Sequence, residues 1–129
     1  MITLTQLKLI LGRNPNAGFP EGDDRYGYVI VAPLTHEGLI NTIAWHASRS
    51  KCKVVRFSPD PQERADGWLS HLGGKWRIHY EGADEVSDEA IDNLSEHRLF
   101  VHDYVTIKNP VGDALVYQVV DNRDVGLTV

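Results

Sequence analysis

Residues 67–80 carry two adjacent glycines between two segments of alternating side chains, and they read Gly67-Trp68-Leu69-Ser70-His71-Leu72-Gly73-Gly74-Lys75-Trp76-Arg77-Ile78-His79-Tyr80. Such glycine pairs form two-residue hairpin turns, because these turns need the positive φ angles that glycine adopts without strain. A turn centred on the two glycines places four pairs opposite one another: Leu72 and Lys75, His71 and Trp76, Leu69 and Ile78, and Trp68 and His79. The stretch therefore predicts an antiparallel hairpin.

The two faces of this hairpin differ in character. One face carries Leu69, His71, Trp76, Ile78 and Tyr80, and the other carries Trp68, Ser70, Leu72, Lys75, Arg77 and His79. An apolar face opposite a mostly polar one is typical of an antiparallel pair that is covered on one side only. Because an isolated hairpin is marginally stable in water, the pattern predicts further strands that cover the apolar face.

Segments rich in β-branched, aromatic or alternating residues predict these further strands, and glycine- and proline-rich turns separate them. The predicted strands cover residues 3–12, 26–33, 51–57, 98–101, 104–108 and 114–121. A change of alternation before Leu7 predicts a bulge or a late start of the first strand, and Gly27 predicts a bulge or a close backbone contact. We expect a mainly β fold, a small closed or nearly closed antiparallel barrel of about seven or eight strands, since closure removes exposed edges. A two-sheet β-sandwich is the alternative.

One short helix is predicted at residues 42–50, with Asn41 as its N-cap. The apolar residues that recur at helical spacing are Ile43, Ala44 and Ala47. Trp45 falls on a separate stripe of this helix, so it either packs on the edge of the barrel or is exposed.

Three segments are predicted to lie outside regular structure. Residues 13–24 are dense in glycine, proline and asparagine and form a long loop, in which Phe19 is a candidate anchor to the core. Residues 81–92 hold six acidic side chains, which predicts a solvated excursion with at most a short helix near residues 88–94. Residues 122–129 are expected to fray.

Bulk properties favour one domain and argue against several kinds of partner. A chain of 129 residues with 42% hydrophobic content suffices for one core, so residues 1–129 are predicted to form a single β-rich domain. A net charge of −5 disfavours binding to a nucleic-acid backbone. The longest apolar runs are far shorter than the roughly 20 residues that span a bilayer, and the N-terminus lacks a secretory-signal pattern. We therefore expect no nucleic-acid or membrane partner, and a cytoplasmic location.

Cysteine and histidine usage gives no sign of a bound metal. Cys52 is the only cysteine, which excludes an internal disulfide, and its place in a predicted strand favours a small buried hydrophobe. The six histidines lack the spacing of metal ligands, and they are His36, His46, His71, His79, His97 and His102. Neither a metal nor another cofactor is predicted.

His71 is the most informative single residue, because the hairpin pairing places an ionisable ring on the apolar face opposite Trp76. A buried, hydrogen-bonded histidine is one interpretation. If the barrel instead holds an open pocket, His71, Trp76 and Tyr80 would line it as aromatic walls with one polar group, which is typical of a small-ligand site.

The chain lacks a nucleophile elbow and a phosphate loop, so a non-enzyme is favoured without an enzyme being excluded. The first hypothesis is a non-catalytic binding or protein-interaction module, in which Trp45 and Trp68 contact a protein partner or a second copy of the chain. The alternative is a small-molecule-binding protein or enzyme that uses the pocket of His71, Trp76 and Tyr80. Binding of nucleic acid by a small barrel is a third hypothesis, and the negative charge counts against it.

Residues spread over most of the chain resemble a family of small uncharacterised bacterial proteins. They are Gly27-Tyr28, Val31-Ala32-Pro33-Leu34, Trp45, Cys52 with Arg56-Phe57, Gly67 and Leu69, Trp76 with Tyr80, and Tyr104-Val105 with Ile107. The resemblance implies a bacterial protein and no particular activity, cofactor or site residue.

Overall fold

The structure, a computed structural model, describes residues 2–127 and shows a closed antiparallel barrel of eight strands. Each strand pairs with its neighbours in sequence, and β8 closes the barrel on β1. The strands are β1 (Thr3–Leu11), β2 (Asp23–Leu34), β3 (Lys53–Phe57), β4 (Ala65–Leu72), β5 (Lys75–Tyr80), β6 (Glu89–Ile91), β7 (Tyr104–Lys108) and β8 (Ala114–Leu127). The predicted barrel is confirmed, and the sandwich alternative is not adopted.

One α-helix, α1 (Thr42–Ser48), lies between β2 and β3. Short 3-10 helices cover Pro15–Ala17, Arg49–Lys51, Pro61–Glu63, Glu85–Ser87 and Leu94–Glu96. Within residues 2–127, no helix is both long and apolar enough to cross a lipid bilayer.

The hairpin of β4 and β5 has the register that its sequence predicts. All four predicted pairs are present, and Gly67 additionally pairs with Tyr80. Gly73 and Gly74 have φ angles of 60° and 75°, as expected for a two-residue turn that matches the strand twist. The face that carries Leu69 and Ile78 points into the barrel, so the predicted orientation of the hairpin is also confirmed.

Gly74→Val is expected to lower the free energy of unfolding by about 1–3 kcal/mol, because a β-branched residue is strained at a positive φ angle. No atom lies within 4 Å of the position that a Cβ would take, so the loss should come from the backbone and not from a clash. Gly74→Asn is the matched control, since asparagine tolerates this conformation. Urea denaturation should show a clearly larger loss for valine, and equal losses would contradict the proposed turn.

The sequence predicts two irregularities in the first two strands, and the structure shows one of them. The pairing of β1 with β8 shifts register between Leu4 and Thr5, but the extra residue, Val125, lies in β8. Strand β1 begins at Thr3 and pairs with β2 without a shift as far as Ile10, so neither a bulge in β1 before Leu7 nor a late start of this strand is observed. At Gly27 the backbones of β1 and β2 come so close that a Cβ would overlap the carbonyl oxygen of Leu9. This glycine therefore permits a close backbone contact, the second of the two predicted roles.

Helix α1 packs against one end of the barrel with a face that its apolar spacing does not predict. Asn41 caps it as predicted, since its side-chain oxygen accepts a hydrogen bond from the Ala44 amide at 2.8 Å. The helix buries Ala44, Trp45 and Ser48, whereas Ile43 is 83% exposed. The large indole of Trp45 packs against this end of the barrel. Because burying the indole removes more apolar surface from water than burying Ile43 would, Trp45 sets the orientation of the helix.

Three predictions about local structure are wrong. Residues 89–91 form strand β6, which pairs with β5 and β7, although the acidic segment predicts a solvated excursion. Residues 98–101 form no strand; Leu99 is buried instead, with its amide bonded to the Gly38 carbonyl. Strand β8 continues to Leu127 because β1 pairs with it from Tyr117 to Leu127, so residues 122–127 are part of the sheet and do not fray. Residues 128 and 129 lie outside the described residues.

Cys52 is fully buried next to α1, and its thiol donates a hydrogen bond to the Ser48 carbonyl at 3.5 Å. Burial raises the pKa of this thiol to about 11. The thiol therefore stays protonated at neutral pH, which confirms its interpretation as a small buried hydrophobe.

Candidate functional site

The two ends of the barrel differ. At one end, which we call the closed end, the Trp45 ring packs edge-on against Trp76 with ring centroids 5.5 Å apart. The Trp45 indole donates to the Leu69 carbonyl at 3.0 Å, and the Trp76 indole donates to the Ser95 hydroxyl at 2.6 Å. Buried Leu99 adds to this cover. The closed end is therefore a packed core.

The opposite end, the open end, holds a cavity of about 430 Å³. Its polar floor consists of Tyr28, Arg56, Glu89 and Tyr117, its apolar walls include Leu11, Phe19, Phe57, Ile107 and Leu115, and its rim carries Ser58, Glu63, Asn109 and Asp113. A cavity of this size, with apolar walls and a few converging polar groups, is typical of small-molecule sites.

Glu89 is the centre of the polar floor. Its side chain is only 8% exposed, and it points from the short strand β6 into the barrel. Tyr28 donates a hydrogen bond to its Oε1 atom at 2.9 Å, and Tyr80 donates to the same oxygen. The Nη1 atom of Arg56 lies 3.4 Å from this oxygen. Two phenols and one guanidinium thus compensate the buried carboxylate, as a buried charge requires.

The second carboxylate oxygen, Oε2, has a different environment. All hydrogen bonds that Glu89 accepts from residues 2–127 reach Oε1. In the same part of the chain, no buried side-chain nitrogen or oxygen lacks a hydrogen-bond partner. A fully buried Oε2 would be such an unpartnered atom, so Oε2 is not fully buried. Because Glu89 lines the cavity, Oε2 can accept a hydrogen bond from a ligand there.

Arg56 lies next to Glu89 and is partly open to the cavity. Its Nε atom donates to the Glu63 carbonyl at 2.7 Å, and its guanidinium lies over the Tyr80 ring, 4.6 Å from the centroid. Burial by itself would lower the pKa of Arg56, but Tyr80 and Glu89 outweigh burial and raise it. A guanidinium has five N–H donors, so donors remain for a ligand.

The three tyrosines of this region are neutral donors. Burial raises the pKa of Tyr28, Tyr80 and Tyr117 above the usual phenol value, and the neighbouring Glu89 acts in the same direction. The rings of Tyr28 and Tyr117 pack edge-to-face with centroids 5.0 Å apart. At neutral pH these phenols can therefore donate hydrogen bonds, but they are not nucleophiles.

The loop between β1 and β2 forms part of the wall. Phe19 packs against Tyr26 with ring centroids 5.4 Å apart, and both rings contact the core. Asn14 holds this loop to β8, because its side chain both accepts from the Val116 amide at 2.9 Å and donates to the Val116 carbonyl at 3.0 Å. The predicted role of Phe19 as an anchor is confirmed.

The structure does not bring the three predicted ligand-binding residues together. His71 stacks on Trp76 at the closed end, with ring centroids 4.3 Å apart, where it is half-buried. Tyr80 lies four residues farther along the same face of β5, about 13 Å from Trp76 at the usual rise of a strand. Tyr80 supports Glu89 of the open end. The three residues therefore lie in two separate places: His71 and Trp76 belong to a packed aromatic cluster at the closed end, and Tyr80 supports Glu89 from beside the cavity.

The two tryptophans predicted to form an interaction surface also differ. Trp45 is 5% exposed in the closed end and presents almost no surface to a partner. Trp68 is half-buried on the outer face of the hairpin, opposite His79. Only Trp68 retains surface for the predicted contact.

Sequence reasoning missed the residues at the centre of the floor, namely Arg56 and Glu89. Tyr28 and Arg56 lie in predicted strands, and they are direct partners in the pairing of β2 with β3. Glu89 lies in the segment predicted to be solvated. The one available signal is the alternation of Glu89 with Ile91, both of which the structure buries.

Among residues 2–127, no cluster of three or more histidine, cysteine or acidic side chains could hold a metal ion. Comparison with protein families, curated proteins and solved structures finds no significant match for this chain. The resemblance to small bacterial proteins therefore stays a prediction.

Proposed function

We propose that the protein is a non-catalytic binding protein that holds a small molecule in the cavity at the open end of its barrel. The observation that carries the proposal is the polar floor. Glu89, Arg56 and the phenols of Tyr28 and Tyr117 are held in place before any ligand arrives, beneath walls that are mostly apolar. Preorganised groups of this kind bind well because little ordering is lost on binding.

The chemistry of the floor supports binding over catalysis. The tyrosines keep their protons at neutral pH because burial raises their pKa values. Glu89 is compensated by Arg56 and by two hydrogen bonds on one oxygen. A floor of neutral donors and a compensated ion pair supplies recognition, whereas it lacks an activated nucleophile.

A neutral apolar fluorophore tests the proposal. N-phenyl-1-naphthylamine is expected to bind saturably to one site per chain, and Leu115→Trp is expected to abolish binding because the indole fills the cavity from its wall. Val120→Trp is the matched control, since Val120 is exposed on the outer face of the same strand and its substitution should leave binding unchanged. Circular dichroism confirms that both variants fold. Equal binding by the two folded variants would place the fluorophore elsewhere and contradict the proposal.

Two predictions from the sequence accompany this proposal. We propose a cytoplasmic location, which fits the single cysteine, Cys52, being a buried free thiol. We also propose self-association or contact with a protein partner through Trp68, because part of this large aromatic side chain is exposed on the outer face of the hairpin, and such rings often anchor interfaces.

A further inference from the structure

We propose that the cavity selects a neutral head group that carries a hydrogen-bond donor beside an acceptor, such as a carboxamide, over a carboxylate or an ammonium group. This inference rests on the proposed function, since it assigns the chemistry of the molecule that the cavity holds.

The acceptor in the site is Glu89 Oε2. Tyr28 and Tyr80 both donate to Oε1, which leaves the other oxygen in contact with the cavity. An N–H group of a ligand can donate to it without displacing either phenol. A ligand that offers only acceptors would leave this buried carboxylate oxygen unpaired once water is excluded, which is costly.

The donors in the site belong to Arg56. Its Nη1 atom lies 3.4 Å from Oε1 of Glu89, so the donor group and the carboxylate lie side by side at the floor. A carboxamide presents its C=O and N–H groups side by side in the same way. The carbonyl can accept from the Arg56 guanidinium while the N–H donates to Glu89.

The charges around the cavity disfavour both kinds of ion. The charged residues of its lining are Arg56, Glu63, Glu89 and Asp113. A carboxylate ligand would pair with Arg56 but would lie against Glu89, whereas the two rim carboxylates are exposed and screened by solvent. An ammonium ligand would pair with Glu89 but would lie against Arg56. Either ion would lose its hydration shell, while its attraction to one member of the Arg56–Glu89 pair would be nearly cancelled by repulsion from the other. A neutral head group avoids this loss of hydration energy.

The walls indicate the body of the ligand. Tyr117 and Phe19 present aromatic rings, and Leu11, Ile107 and Leu115 present aliphatic groups. A flat aromatic ring or a branched hydrocarbon can contact these side chains while its head group reaches the floor. The simplest molecule with both parts is benzamide.

A competition experiment with three head groups on the same ring tests the inference. Benzamide, benzoate and benzylamine compete with N-phenyl-1-naphthylamine at pH 7. Benzamide is expected to displace the fluorophore at a concentration about tenfold lower than either ion. A lower concentration for benzoate or benzylamine would overturn the inference.

Two variants, each of which removes one charge from the floor, should shift the head-group preference toward opposite ions. Glu89→Gln leaves Arg56 without its partner, so benzoate is expected to gain about tenfold relative to benzamide. Arg56→Gln leaves Glu89 unbalanced, so benzylamine is expected to gain by a similar factor. Glu37→Gln is the matched control, because it removes a charge from an exposed turn that does not line the cavity, and its relative affinities should stay within about twofold of the parent. If one of these two variants folds poorly, the other still tests the inference, because each is expected to shift the preference toward a different ion.

The outcomes separate this inference from the proposed function. If Leu115→Trp abolishes fluorophore binding but the three head groups compete equally, or none competes, the inference is wrong and the cavity still binds small molecules. Preferences that stay the same in both charge variants also overturn it. If the fluorophore does not bind in the cavity at all, the proposed function fails and the inference fails with it.

Discussion

Replacing Trp76 by alanine is expected to lower the free energy of unfolding by about 3–5 kcal/mol, the range found for deleting a large buried aromatic side chain. Trp76 is 2% exposed and lies between His71 and Trp45 at the closed end, with ring centroids 4.3 and 5.5 Å away. Its removal would open a cavity beneath α1 and leave the Ser95 hydroxyl without the indole donor. Urea denaturation followed by circular dichroism measures the loss.

Trp68→Ala is the matched control, since it deletes the same side chain from the outer face of the same hairpin. We expect a loss of about 1 kcal/mol, because Trp68 is only half-buried. If the two variants lose equal stability, the outer face of the hairpin is covered as well as the inner one. Sedimentation of the parent and Trp68→Ala also tests the predicted contact, since any self-association through this ring should weaken while the fold stays intact.

Raising the pH above 10 is expected to unfold the protein steeply. Burial raises the pKa of Tyr28, Tyr80 and Tyr117 above the usual value of 10.0. Above pH 10 the unfolded chain loses these phenolic protons while the folded protein keeps them, so rising pH favours the unfolded state. Each such tyrosine lowers the free energy of unfolding by about 1.4 kcal/mol per pH unit. The buried thiol of Cys52 acts in the same direction between pH 9 and about pH 11.

Tyr28→Phe isolates the phenol effect. At pH 7 this variant should lose about 1.5–3 kcal/mol, because Glu89 loses a hydrogen bond to its charged oxygen. Above pH 10 its free energy of unfolding should fall less steeply than that of the parent, by about 1.4 kcal/mol per pH unit. Urea denaturation at a series of pH values measures both slopes. Reversible ionisation of all five tyrosines near pH 10 in the folded protein, seen by ultraviolet absorbance, would contradict the buried floor.

The hairpin of β4 and β5 shows which features local sequence can predict. Its turn and its register follow from two glycines and from the alternation of side chains, because both depend only on neighbouring residues. The cap of α1 by Asn41 is local in the same sense. The choice of a barrel also follows from a general rule, since many short antiparallel strands without a helical cover must avoid exposed edges.

Strand β6 shows a feature that local sequence does not predict, namely the burial of an acidic side chain. Its three residues lie in an acidic segment, and nothing near them in the chain indicates burial of a carboxylate. Glu89 is buried because Tyr28, 61 positions away in sequence, donates to it and because Arg56 compensates its charge. Pairing of β6 with β5 and β7 brings the residue into the barrel. An acidic side chain is therefore exposed or buried according to its distant partners.

The three residues of the predicted ligand site are separated in the structure for a related reason. Alternation correctly places Trp76 and Tyr80 on the inner face of β5, because the side-chain period of a strand is two residues. It does not show which residues of other strands meet them across the barrel. Closure of the sheet sets Trp76 beneath Trp45 of the helix and Tyr80 beside Glu89 of β6. The face of each strand is thus a property of local sequence, whereas the cavity and its floor exist only after β8 pairs with β1 and brings inward side chains from distant strands to one end.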